Sequence, residues 1–210
     1  FMKKFIETLT NVWKIEELRN RIILTVGILL VYRFGAHIIL PGIDAEKLSN
    51  LTQRTSEGGL LDILNAFTGG AFAKASVFAL GIMPYISASI VMQLLAVAVP
   101  YFQKMQREGE SGRKKINWYT RALTVVILLF QAPSYLTYLK MQTEGALASG
   151  ISWSVFMVPA TVILAAGSMF VLWLGERITD KGVGNGVSLI IMIGIIARFP
   201  QAFIQEIGSR

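Results

Sequence analysis

The 210-residue chain contains no cysteine. Within these residues that excludes a disulfide framework, a thiolate metal site and a cysteine nucleophile. There is one histidine, His37, so a His-rich metal site or a Ser-His relay has little support. Acidic residues are scarce as well, with 13 Asp and Glu against 20 Lys and Arg. None of the acids falls inside a long apolar run, whereas an ion-coupled transporter usually needs a carboxylate near the membrane midplane. Charged residues of either sign make up 16% of the chain, hydrophobic residues 53%, and mean hydropathy is +0.55. That composition belongs to a polytopic membrane protein, and it excludes a long soluble domain. In a soluble protein a net charge of +7 would point to nucleic acid; here the charge of the loops accounts for it.

The chain is organised around residues 58–93. Leu60, Leu61, Ile63, Leu64 and Phe67 fall on one face at helical spacing, with Asp62 and Asn65 off it. The helix predicted over 60–67 is only about 12 Å long, far short of a bilayer. Gly69-Gly70 then frees the backbone to turn. Residues 76–99 form an apolar run long enough to span, with Pro84 inside it inviting a bend. A short helix hinged to a full span suits a re-entrant cap over a membrane cavity. Periodicity leaves open a second reading, a helical external loop packed on the membrane surface.

Further spans are expected at about 22–40, 118–138, 151–174 and 185–204, making five in all. Residues 1–21 read as a cytoplasmic amphipathic segment with its basic groups at the headgroups. The first span carries Arg33 and His37. Each is either a functional group at membrane depth or a side chain towards the outer end that reaches headgroups or a polar interior. Pro41-Gly42 is expected to end that helix, and residues 43–59 to form an external loop. Residues 101–117 and 175–185 are expected to be loops. The glycines of 182–186 lack the spacing of a phosphate loop (GxxxxGKS/T or GxGxxG). They read instead as a flexible entry to the last helix, with Asn185 as its N-cap. Ser87 and Ser89 read as small residues that permit helix packing. With five spans, the loops on the N-terminal side hold thirteen Lys and Arg and the opposite loops hold six. The positive-inside rule then puts the N-terminus in the cytoplasm, and the short helix enters from outside.

FALGIMPYISASIVMQLL at 78–95 and LWLGERITDKGVGNGVSLII at 172–191 resemble the two signatures of the SecY family, in the family's order. PGI at 41–43 and EGESGRKKINWYTR at 108–121 extend the resemblance over nearly the whole chain, though only over the N-terminal half of the family. The resemblance implies an all-α membrane protein, with five transmembrane helices plus a short re-entrant plug helix, forming residues 22–210 and one half of the inverted-repeat SecY fold. It implies a passive protein-conducting channel subunit of the bacterial cytoplasmic membrane, not an enzyme and without a cofactor. The channel would translocate unfolded secretory proteins and insert membrane proteins. Ile82, Ile86, Val187 and Ile191 match pore-ring positions; Val187 stands where the family often has isoleucine. Leu60, Leu61, Asp62, Ile63, Leu64, Asn65, Ala66 and Phe67 match the plug. The second and third spans would form one side of a lateral gate. Implied partners are SecE and SecG, the SecA motor or a translating ribosome, signal sequences and nascent chains, membrane lipids, and the C-terminal half of the same chain. Two alternatives remain: half of a secondary transporter, and an interaction fragment without a pore of its own.

Overall fold

The computed structural model describes residues 13–44, 60–142 and 152–208, and among them it is all helix and turn apart from one isolated bridge. The helices are α1 (Glu16–Gly35), α2 (Leu60–Phe67), α3 (Met83–Ala98), α4 (Pro100–Arg107), α5 (Glu110–Gln142), α6 (Trp153–Lys181) and α7 (Gly186–Gly208). Residues 1–12, most of the expected N-terminal amphipathic segment, lie outside the described residues, as do 45–59 of the expected external loop.

Helix α1 starts with Glu16 and Glu17 in its first turn and has Arg33 in its last, charges that complement the helix dipole. It stops at Gly35, earlier than the Pro41-Gly42 boundary expected from sequence. Its last residue is closely packed, since a Cβ at Gly35 would run into the buried ring of Phe78. The chain then runs extended and pairs with 75–77, Leu40 N–H donating to Ala75 C=O at 2.9 Å and Val77 N–H to Ile38 C=O at 2.9 Å.

The expected span at 76–99 is likewise helical only from Met83. Pro84 lies in the first turn of α3, where its missing N–H costs nothing, rather than inside a helix. Residues 68–82 are a run of tight turns, and Ala71, Ala75, Ser76 and Ala79 are fully buried within it. Apolar sequence suits these turns because they are packed inside the protein, where backbone polar groups must be paired. The pairs are present: Tyr135 OH donates to Phe72 C=O at 2.6 Å, and Phe78 N–H donates to Ser76 Oγ at 3.0 Å.

Two expected loops are largely helical. Residues 101–117 contain α4 and the start of α5. Helix α3 breaks at Val99, whose extended backbone leads into Pro100, and α4 leaves at 98° to it. Left-handed Gly109 (φ 73°) turns the chain back into α5. Helix α6 continues through Lys181, leaving only 182–185 as a turn before α7.

Helices α5 and α6 are each long and apolar enough to cross a membrane; α3 and α4 pass that test only as a bent pair, and α7 contains a shorter apolar helix, Gly186–Ala197. Large apolar side chains stand outward on several helices, among them Leu30, Phe34, Val97 and Phe130, an arrangement suited to lipid rather than water. One core joins the 71–80 turns to α5 and α6 around Leu128, Leu136, Phe156 and Leu164. A second joins α1, α6 and α7 around Tyr32, Phe78, Val171 and Ile190.

Candidate functional site

The second core contains all four aliphatic residues singled out from sequence. Ile82 caps the N-terminus of α3, and Ile86 follows one turn on, its N–H donating to Ile82 C=O at 3.1 Å. Val187 and Ile191 are one turn apart at the start of α7. Ile82 is only 5% exposed, and the other three are half-buried against the same cluster. Gly175 on α6 lies against both helix starts. Its carbonyl lies where a Cβ on Gly186 would clash, while a Cβ on Gly175 itself would be in ordinary contact with Val187 N at 3.5 Å and Ile82 Cδ1 at 3.6 Å. Ile191 also lines an open apolar groove of about 350 Å³ with Ser188, Met192, Ile195 and Ile196. Such a surface offers branched side chains and few hydrogen-bond partners, so it is poorly hydrated and makes few specific hydrogen bonds.

The start of α7 is set by Asn185, as expected. Ser188 N–H donates to Asn185 Oδ1 at 3.2 Å, the third helical position bonding the cap. Gly186 N–H is taken by Thr179 Oγ1 at 2.9 Å.

The short helix α2 has the bounds predicted for it and packs on α7. The side chains of Leu60, Leu61 and Asp62 lie outside the described residues. Of the remainder, Leu64, Ala66 and Phe67 are half-buried, but two positions differ from the expected face. Ile63 is 56% exposed and Asn65 is 3% exposed. Asn65 turns inward because its Oδ1 accepts the N–H of Ala73 at 3.1 Å, a donor in the turns that has no helical partner there.

Helix α2 closes in a Schellman motif. Gly70 N–H donates to Asn65 C=O at 2.8 Å, and Gly69 N–H donates to Ala66 C=O at 3.1 Å. Gly69 is left-handed, with φ +64°. Thr68 Oγ1 accepts Phe72 N–H at 3.2 Å. On one side of this hinge, a Cβ on Gly194 of α7 would meet Phe67 O at 2.9 Å and Gly69 N at 3.2 Å. On the other, Arg33 Nη1 of α1 donates to Gly69 C=O at 2.9 Å. Among the sequence readings of Arg33, this bond fits the one in which the side chain reaches a polar interior rather than headgroups. His37 is exposed and its Nδ1 lies 2.9 Å from Arg33 C=O. Sequence reasoning passed over Tyr32 and Thr68 altogether. The lone cation in an apolar helix was the available signal for Arg33, but nothing in the sequence names the carbonyl that it meets.

Comparison with known proteins adds the following. A family model described as SecY matches residues 76–209. The protein translocase subunit SecY of Thermotoga maritima is 46% identical over 194 residues, covering 90% of this chain and 45% of that protein. The chain thus spans about half the length of the curated relatives it matches. A solved structure titled as a protein conducting channel superposes with a TM-score of 0.57 at 20% identity, over 86% of this chain and 36% of the other. Sec61 in a canine ribosome-channel complex gives 0.56 at 19% identity, with the same coverage. The two structures share the fold.

Proposed function

This chain belongs to the SecY family, and from that premise we propose that it supplies the N-terminal half of a protein-conducting channel. In this reading the complete channel passes unfolded secretory chains across the bacterial cytoplasmic membrane and releases membrane segments sideways into lipid. Ile82, Ile86, Val187 and Ile191 are this half's share of an aliphatic ring that closes around variable side chains. Helix α2, residues Leu60 to Phe67, is the plug that seals the resting channel from outside, and five spans place the N-terminus in the cytoplasm. SecE and SecG complete the complex, the C-terminal half of the chain completes the pore, and SecA or a translating ribosome supplies the work. Signal sequences, nascent chains and lipids are the remaining contacts.

One observation carries this reading. Four aliphatic side chains from helix starts some hundred residues apart in sequence meet in one apolar cluster, and α2 is seated on the same helix α7 one turn beyond Ile191, at Gly194. The test uses the complete channel in liposomes. Replacing Ile82 and Ile86 with Gly or Ser should widen and wet the constriction, raising ion leak, and should increase tolerance of poor signal sequences in cells. Unchanged conductance would remove both residues from the ring.

A further inference from the structure

We propose that Arg33 is a positioning residue that latches the hinge of α2 and so holds the short helix closed, an inference that rests on reading α2 as the plug. Most bonds around the hinge are internal to it. Asn65 to Ala73, Thr68 to Phe72 and Gly70 to Asn65 all lie within residues 65–73; the first two bridge the double glycine, and none of the three fixes this unit to another helix. Three side-chain hydrogen bonds among the described residues tie that unit to the helices. Tyr135 holds Phe72, on the far side of the double glycine from α2. Tyr32 reaches Thr68 C=O at 3.4 Å, a weak contact. The remaining bond, Arg33 to Gly69 at 2.9 Å, is short, charge-assisted and on the α2 side.

The acceptor is well chosen for a cation. Gly69 follows the C-terminus of α2, where the helix dipole is negative and the last carbonyls lack helical donors. The contact is also spatially constrained, because a Cβ at Gly69 would lie 2.9 Å from Arg33 Nη1 and 3.0 Å from Gly194 Cα. Arg33 is the only charged residue of α1 beyond Arg21, so its place in an otherwise apolar stretch is accounted for by this bond. A single bond to one turn carbonyl breaks when the hinge swings and re-forms when it returns, which is what a reversible latch requires.

The experiment uses the complete channel in a cysteine-free background, with a spin label at Ala66→Cys on α2 and, separately, at exposed Leu129→Cys on α5. Arg33→Gln should raise the mobile fraction of the residue 66 label about tenfold, the scale of one charged hydrogen bond, leave the residue 129 label unchanged, and raise resting ion leak. Arg33→Lys, which keeps a cationic donor, should restore much of the immobile signal. An unchanged residue 66 label in Arg33→Gln overturns the latch, and mobilisation of both labels overturns it in favour of a general packing role. Deletion of residues 60–67 tests the plug reading separately. If the deletion does not raise leak, α2 is not the plug, while a mobilised residue 66 label still upholds the latch.

Discussion

At Gly69 the backbone is left-handed and the neighbours are close on two sides, so replacement by alanine should be costly on both counts. The left-handed conformation alone costs a residue with a Cβ roughly 1–2 kcal/mol, and the side chain would press on Arg33 and Gly194. Gly69→Ala should therefore lower the thermal unfolding midpoint in detergent, whereas Gly70→Ala, with open space around its Cβ position, should suffer only from its own positive φ. An equal loss in both would mean that the contact with Arg33 and Gly194 carries no weight. At this scale the sequence was partly legible. The double glycine read as a break and Asn185 as a cap, because both signals are local. Asn65 was misread because helical periodicity assigns an amide to the polar face, and the N–H that recruits it belongs to Ala73, outside the helix. Arg33 was ambiguous for the same reason, its acceptor being 36 residues away.

Between elements, the clearest tie is Thr25. Its hydroxyl donates to Arg21 C=O at 2.8 Å within α1 and accepts Val183 N–H at 3.0 Å from the turn joining α6 to α7. Thr25→Val keeps the shape and leaves the Val183 N–H without that acceptor, which should cost about 1–3 kcal/mol. Faster amide exchange at Val183 is the direct readout; an unchanged rate would mean that the bond is dispensable. The Arg121–Glu176 pair between α5 and α6, at 2.8 Å but with the arginine half-exposed, should matter less, at most about 1 kcal/mol. Element ends were the least legible part of the fold. Hydropathy marks 76–99 as one apolar run, but buried turns must be as apolar as a buried helix, so the run does not reveal that helix starts only at Met83. Likewise α1 ends where the Phe78 ring meets Gly35, a contact between distant segments. Charge misled in the opposite direction, since the polar residues 101–117 read as loop and yet form α4 and the start of α5.

For the molecule as a whole, the absence of cysteine from these residues makes orientation directly measurable. With the complete channel in oriented vesicles and any cysteines elsewhere replaced, Lys114→Cys near the start of α5 should react with an impermeant maleimide only from the cytoplasmic side. Lys140→Cys near its end should react only from outside. The reverse pattern would overturn the proposed orientation, and labelling of both from one side would remove α5 from the spans. All-helical class and family were readable from composition and two long motifs, because both are properties of extended stretches. The span count was less so, since among the described residues only α5 and α6 have the length and composition to cross singly. The seat of the short helix has a further consequence, for the order of events during synthesis. Its two sides come from segments far apart in the sequence, Arg33 ahead of it and Gly194 far behind. Gly194 emerges roughly 125 residues after Gly69, on the order of ten seconds at ordinary elongation rates. Until then the hinge has one wall and no second, so the nascent chain passes through a period in which α2 lacks half of its seat.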